Sequence, residues 1–170
     1  SWLRRGFYAL LDLFFLRSWH LRRLLRDLGK GLDHSGPWDL LDAGSGFGQY
    51  DRFLLKQFRN VSITAIDLKE EYLADCKRHF RREVEEGRIR FERERYDLIL
   101  CVDVLEHIEE DRLALRNMAR ALKRGGYLLM HSPSHYSEQD ARGEGDSVVE
   151  EHARPGYSKE EIEEKMRDAG

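Results

Sequence analysis

The chain has 170 residues, enough for one domain with a true core, and 36% of them are charged, with both signs interspersed. That balance describes a globular surface and excludes a disordered tail. A formal net charge of −3 supplies no global positive field, so the composition does not point to a nucleic-acid partner.

In chain order, residues 1–25 come first. Their apolar run is short and interrupted by Asp12, whereas a membrane span needs about 20 apolar residues. No small-residue cleavage site follows, which argues against a signal peptide. Trp2, Phe7, Leu10, Leu11, Phe14 and Trp19 recur at helical spacing among arginines. They predict a helix packed on its own domain, with a membrane-surface helix as the weaker alternative. Residues 1–36 are expected to form a helical lid, closing in the turn-rich "GKGLDHSGP", and residues 37–170 the main domain.

From Trp38 onward strands and helices alternate. "WDLLDA" (38–43) reads as a buried strand, 47–58 as a helix, and "VSITAID" (61–67) as a second strand rich in β-branched residues. Residues 69–85 read as a helix, "RIRFE" (88–92) as a short strand and "YDLILCVDV" (96–104) as a continuous apolar one. A helix is expected over 109–123, stopped by Gly125-Gly126. "YLLMHSP" (127–133) follows as a strand, then a loop over 134–156. Ser158, with Glu161 three residues later, forms a capping box for a last helix. The repetition predicts an α/β fold: a doubly wound, mainly parallel sheet in the order 3-2-1-4-5, with helices on both faces.

Two features depart from a complete sheet. In that order the third and fourth strands lie three positions apart and run parallel. The chain must return about 17 Å along a strand and cross about 14 Å, yet four peptide links reach about 14 Å at most. The expectation is a missing segment near 92–96. The chain also stops at "DAG" after a helix and before any strand, which predicts a truncated C-terminus and absent last strands.

Ligands of such sheets bind at the carboxyl ends of the strands, where "LLDAGSGFGQY" lies. A phosphate-binding loop needs a lysine followed by Ser or Thr after its last glycine, but Gly48 is followed by Gln49-Tyr50. A dinucleotide turn wants GxGxxG, and Gly44, Gly46 and Gly48 give GxGxG. Asp42, two residues before the first glycine, would face a pyrophosphate unfavourably and suits a ligand that is cationic there. S-adenosylmethionine, with an ammonium, a sulfonium and no phosphate, fits. Asp67, about 20 residues on, is placed to accept from ribose hydroxyls, the alternative being a helix N-cap.

With these motifs the chain resembles the class I S-adenosylmethionine-dependent methyltransferases, particularly the type 11 group that includes quinone-biosynthesis enzymes, over residues 38–133. The resemblance rests on "LLDAGSGFG", "AIDLKEEYL", "YDLILCVDVLEHI" and "ALKRGGYLLMHSP". It implies a Rossmann-like fold of the seven-stranded type. It also implies that Asp42, Gly44, Ser45, Gly46 and Gly48 surround the methionine part of the cofactor, Asp67 the ribose and Leu68 the adenine, with Asp103 a further cofactor-binding residue. The family's acidic and apolar adenine contacts between the third and fourth strands are absent here, where the missing segment is expected.

Methyl transfer needs a general base only when the nucleophile carries a proton. In "DVLEHI", His107 is the candidate base, with Glu106 beside it. Both can instead serve the next helix. A metal-assisted version, acting on a quinone-like lipid or an RNA end, would use Asp103, Glu106 and His107, with His131 and His135 as further ligands for Mg²⁺ or Mn²⁺. A cofactor-binding scaffold without catalysis is the non-enzymatic alternative. His135, Tyr136, His152, Arg154 and Tyr157 are expected around a substrate pocket. Cys76 and Cys101 lack metal or redox spacing and read as reduced thiols of a cytoplasmic protein. The expected partner is a small-molecule substrate.

Overall fold

The computed structural model of the chain describes residues 16–31, 37–46, 48, 50–58, 60–67, 93–134 and 153–170. The elements are α1 (Leu16–Gly31), β1 (Trp38–Ala43), α2 (Asp51–Gln57), β2 (Val61–Ile66), β3 (Tyr96–Val102), α3 (Asp111–Ala121), β4 (Leu122–His131) and α4 (Lys159–Ala169). A short 3-10 turn, Leu105–His107, separates β3 from α3. The four strands form one sheet in the order β2-β1-β3-β4, and every pair is parallel. This agrees with the expected doubly wound order. The helix of 69–85 and the strand of 88–92 lie outside the described residues, as do Leu68 and Cys76.

Both faces of the sheet are covered over the central β3, which reads as a continuous apolar run, whereas the edge strand β4 has no fully buried residue. Alternation divides the strand residues between two cores. Leu40, Ile63, Leu98, Leu100 and Val102 point to the side where Leu21 and Leu25 of α1 meet Tyr50, Leu54 and Phe58. Leu41, Ala43, Ile99 and Cys101 point the other way, toward Leu115, Met118 and Ala121 of α3 and Tyr157.

Several boundaries differ from the sequence expectations. The described part of the expected lid packs on the domain through Leu21 and Leu25, and Trp19 is not on that face: it is 52% exposed. The helix runs through Gly29 instead of breaking there, and Gly31 is its last residue. The helix expected from residue 47 starts at Asp51, because Gly44, Gly46 and Gly48 all take positive φ and keep the chain out of helical geometry. α3 stops at Ala121, and Gly125-Gly126 lie inside β4. There they serve a bulge: Leu122 pairs with Tyr96, and Tyr127 with Leu98. β3 ends at Val102, two residues early, because Asp103 turns to φ 53°.

Candidate functional site

The carboxyl ends of β1, β2 and β3 converge on the glycine turn. Ile66 O accepts from Gly44 N at 2.8 Å and from Ser45 N at 2.9 Å, tying the turn to the end of β2. Asp67 Oδ2 accepts from Gly46 N at 2.8 Å, and Ser45 O accepts from Gly48 N at 2.8 Å. Gly44 has φ 84°, and a Cβ there would overlap Val104 Cγ2. Gly46 has φ 52°, and a Cβ there would meet nothing within 4 Å. One glycine is thus required by packing against the segment after β3, while the other lines open space.

Beneath the turn lies an acid pair. Asp42 is 2% exposed and Asp51 1%. Burial, and after it the neighbouring carboxylates of Asp51 and Asp67, hold the Asp42 carboxyl well above the usual carboxylate range. Asp42 Oδ2 and Ser45 Oγ are buried with no hydrogen-bond partner among the described residues. The Asp42 oxygen fits a ligand that brings N–H donors or positive charge and opposes a phosphate, while the Ser45 hydroxyl can donate or accept. Asp51 was not singled out in the sequence. Its only signal there is its place at the start of the helix after the turn.

After β3, the expected acid–base residues separate. Asp103 Oδ1 lies 2.6 Å from His131 Nδ1, and Asp103 N donates to His131 O at 2.9 Å. Glu106 is 1% exposed and accepts from Ser132 Oγ at 2.9 Å, while its backbone oxygen accepts from Ala153 N and Arg154 N. His107 is half-buried on the 3-10 turn, with its N–H donating to Val104 O at 3.0 Å. Asp103, Glu106 and His107 therefore do not gather: among the described residues no group of three or more His, Cys, Asp or Glu could hold a metal ion. His135 lies outside them.

Arg154 and Tyr157 meet on one carboxylate. Asp111 Oδ2 accepts from Tyr157 Oη at 2.9 Å and from Lys165 Nζ at 2.6 Å, and Arg154 Nη1 also pairs with it. Arg154 Nη2 further donates to Ile108 O and Glu109 O, each at 2.8 Å. Tyr136 and His152 lie outside the described residues. Cys101 is fully buried, and burial, with the charges of Glu106 and Asp42 added, pushes its thiol up to about 12. It is therefore no nucleophile. Among the described residues no helix is long and apolar enough to cross a membrane.

Comparison with known proteins agrees with this geometry. A methyltransferase-domain family model matches residues 41–130. Ubiquinone biosynthesis O-methyltransferase of Nitrosomonas europaea is 29% identical over 98 residues, covering 52% of this chain and 41% of the relative. The protein of the same description from Hydrogenovibrio crunogenus is 30% identical over 98 residues, covering 52% of this chain and 40% of its own length. The chain thus spans about two fifths of these relatives. The structure of the trans-methyltransferase CalH in complex with SAH superposes with a TM-score of 0.63 at 18% identity, over 88% of this chain and 48% of that one. That likeness speaks for the fold.

Proposed function

The chain belongs to the methyltransferase-domain family, and from that premise we propose that it moves a methyl group from S-adenosylmethionine to a small-molecule nucleophile by in-line displacement. One observation carries the reading: an unpartnered carboxylate oxygen of Asp42 is buried beneath the turn, where a phosphate-binding loop would present donors. The cofactor, when bound, supplies a methyl group already activated on a cationic sulfur.

This chain's residues then bind and orient. Asp42 and Ser45 offer acceptors to the ammonium, and a cation arriving there would relieve the carboxyl pair at Asp42 and Asp51. Gly46 leaves room for close backbone approach. Asp67 holds the turn through Gly46 N and is assigned to the ribose hydroxyls. Leu68, outside the described residues, is assigned to the adenine by resemblance alone. Asp103 is assigned to the cofactor side of the cleft. Positioning of this kind contributes about 7–11 kcal/mol to a displacement between bound partners. Glu106, occupied by Ser132, serves by bracing the cleft wall. The likeness to ubiquinone-biosynthesis O-methyltransferases favours an oxygen nucleophile on a quinone-like acceptor over nitrogen or carbon.

Titration calorimetry with S-adenosylhomocysteine, ATP and NADH tests the binding, and transfer of labelled methyl to catechol, amine and enolisable carbon acceptors tests the chemistry. Binding of the sulfur compound with methyl release is the expected result. Binding of ATP or NADH in its place would overturn the reading, and binding without transfer to any acceptor would favour the scaffold alternative.

A further inference from the structure

We propose that His131, held by Asp103, takes the proton when the methyl acceptor is a hydroxyl, an assignment that rests on the methyltransferase reading above. Adjacent strand ends deliver the two residues. Val102 at the end of β3 pairs with His131 at the end of β4, so Asp103 leaves one strand where His131 closes the next. Asp103 takes φ 53°, a left-handed conformation that aspartate adopts more readily than most residues. The turn carries its carboxylate back across the strand ends to the 2.6 Å contact with His131 Nδ1.

A carboxylate only accepts, so the hydrogen belongs on Nδ1 and the Nε2 lone pair stays available. Nε2 has no hydrogen-bond partner among the described residues, and the side chain is 36% exposed. The pair sits on the edge of the sheet that holds the glycine turn, since Gly44 packs against Val104, the residue after Asp103. Ligands of parallel sheets meet at this edge. Glu106, by contrast, is sealed against Ser132.

In the step, His131 Nε2 accepts the hydroxyl proton as the acceptor oxygen forms its bond to the methyl carbon. The bond from that carbon to sulfur breaks with its electron pair on sulfur, so the sulfonium becomes a neutral thioether. His131 becomes an imidazolium, whose charge Asp103 stabilises while fixing the ring's orientation. His131 is the proton acceptor and Asp103 its positioning residue.

Two readouts decide this. Long-range ¹H–¹⁵N spectra of the chain alone, with His131 assigned by its loss in His131→Gln, should show the Nδ1–H tautomer, and Asp103→Asn should abolish that preference. An Nε2–H tautomer in the unaltered chain would overturn the assignment without reference to activity. With catechol or another hydroxyl acceptor, His131→Gln should lower kcat by about 10²–10⁴-fold, leaving KM and S-adenosylhomocysteine affinity within about twofold. Unchanged kcat would overturn it. Failure of the unaltered chain to methylate any acceptor, with the Nδ1–H tautomer intact, would overturn the methyltransferase reading and with it the pair's role.

Discussion

At Asp42 the chain buries one carboxyl beside another, an arrangement that destabilises the ionised form until a cation or donor arrives. Because the folded pKa is raised, the group's contribution to stability is complete below the ordinary carboxylate range. It is lost as pH rises toward the folded value. Asp42→Asn is therefore expected to raise the melting temperature of the ligand-free chain near neutral pH. It should also flatten that chain's decline with pH. The same change should weaken S-adenosylhomocysteine binding about tenfold to a hundredfold, the worth of a hydrogen bond to a charged group. Melts across pH and calorimetry check both halves. The glycines of the turn divide similarly. Gly44→Ala should cost roughly 1–3 kcal/mol of stability through its overlap with Val104. Gly46→Ala, strained only at the backbone, should cost about 1–2 kcal/mol and lose proportionately more ligand affinity. Denaturant titrations and calorimetry on the two variants separate these effects. The identities of these residues were readable from spacing. The proximity of Asp42 to Asp51 was not, because it depends on how α2 sits over the end of β1.

Between elements, Asp111 makes a buried polar junction that joins α3 to the segment before α4 and to α4 itself. Burial acts to raise its pKa, but hydrogen bonds from Lys165 and Tyr157 and the charges of Lys165 and Arg154 outweigh it, and the result is depressed. A depressed acid contributes stability above its unfolded value, and this is lost as pH falls through the folded one. Asp111→Ala leaves Lys165, 8% exposed, without its buried countercharge and should cost about 3–5 kcal/mol. In melts taken from neutral pH downward, the gap between the unaltered chain and the variant should close toward the acid end. The nearby cap was predicted from sequence and is present: Ser158 Oγ accepts from Glu161 N at 3.0 Å. The cap is local, set by residues three apart. The Asp111 junction spans 54 positions to Lys165, and no periodicity announces it. Gly125-Gly126 misled for the same reason. A glycine pair after a helical run suits a helix end, but here strand pairing with β3 reaches back to Leu122 and absorbs it as a bulge.

At the scale of the molecule, one sheet separates two cores among the described residues, and its central strands alternate between them residue by residue. Leu25, 1% exposed on one side, and Leu115, 1% exposed on the other, share β1 and β3 as a common floor. Each change to alanine should cost about 2–5 kcal/mol. Urea unfolding of both variants should remain a single transition with unchanged slope, because neither core can be lost while the sheet persists. A separate early transition in Leu25→Ala would show that α1 is a detachable lid.

By itself, the sequence determined what short spacing controls. The strand and helix alternation follows from apolar period, the parallel sheet from that alternation, the character of the turn from its glycines and Asp42, and the last helix's start from Ser158. Only the tertiary structure decided which distant side chains meet: Asp42 with Asp51, Asp103 with His131, and Asp111 with Arg154, Tyr157 and Lys165. The reason is physical. Periodicity and turn chemistry are energies of neighbours along the chain, whereas these contacts depend on strand register and helix docking, set by burial summed over the whole sheet.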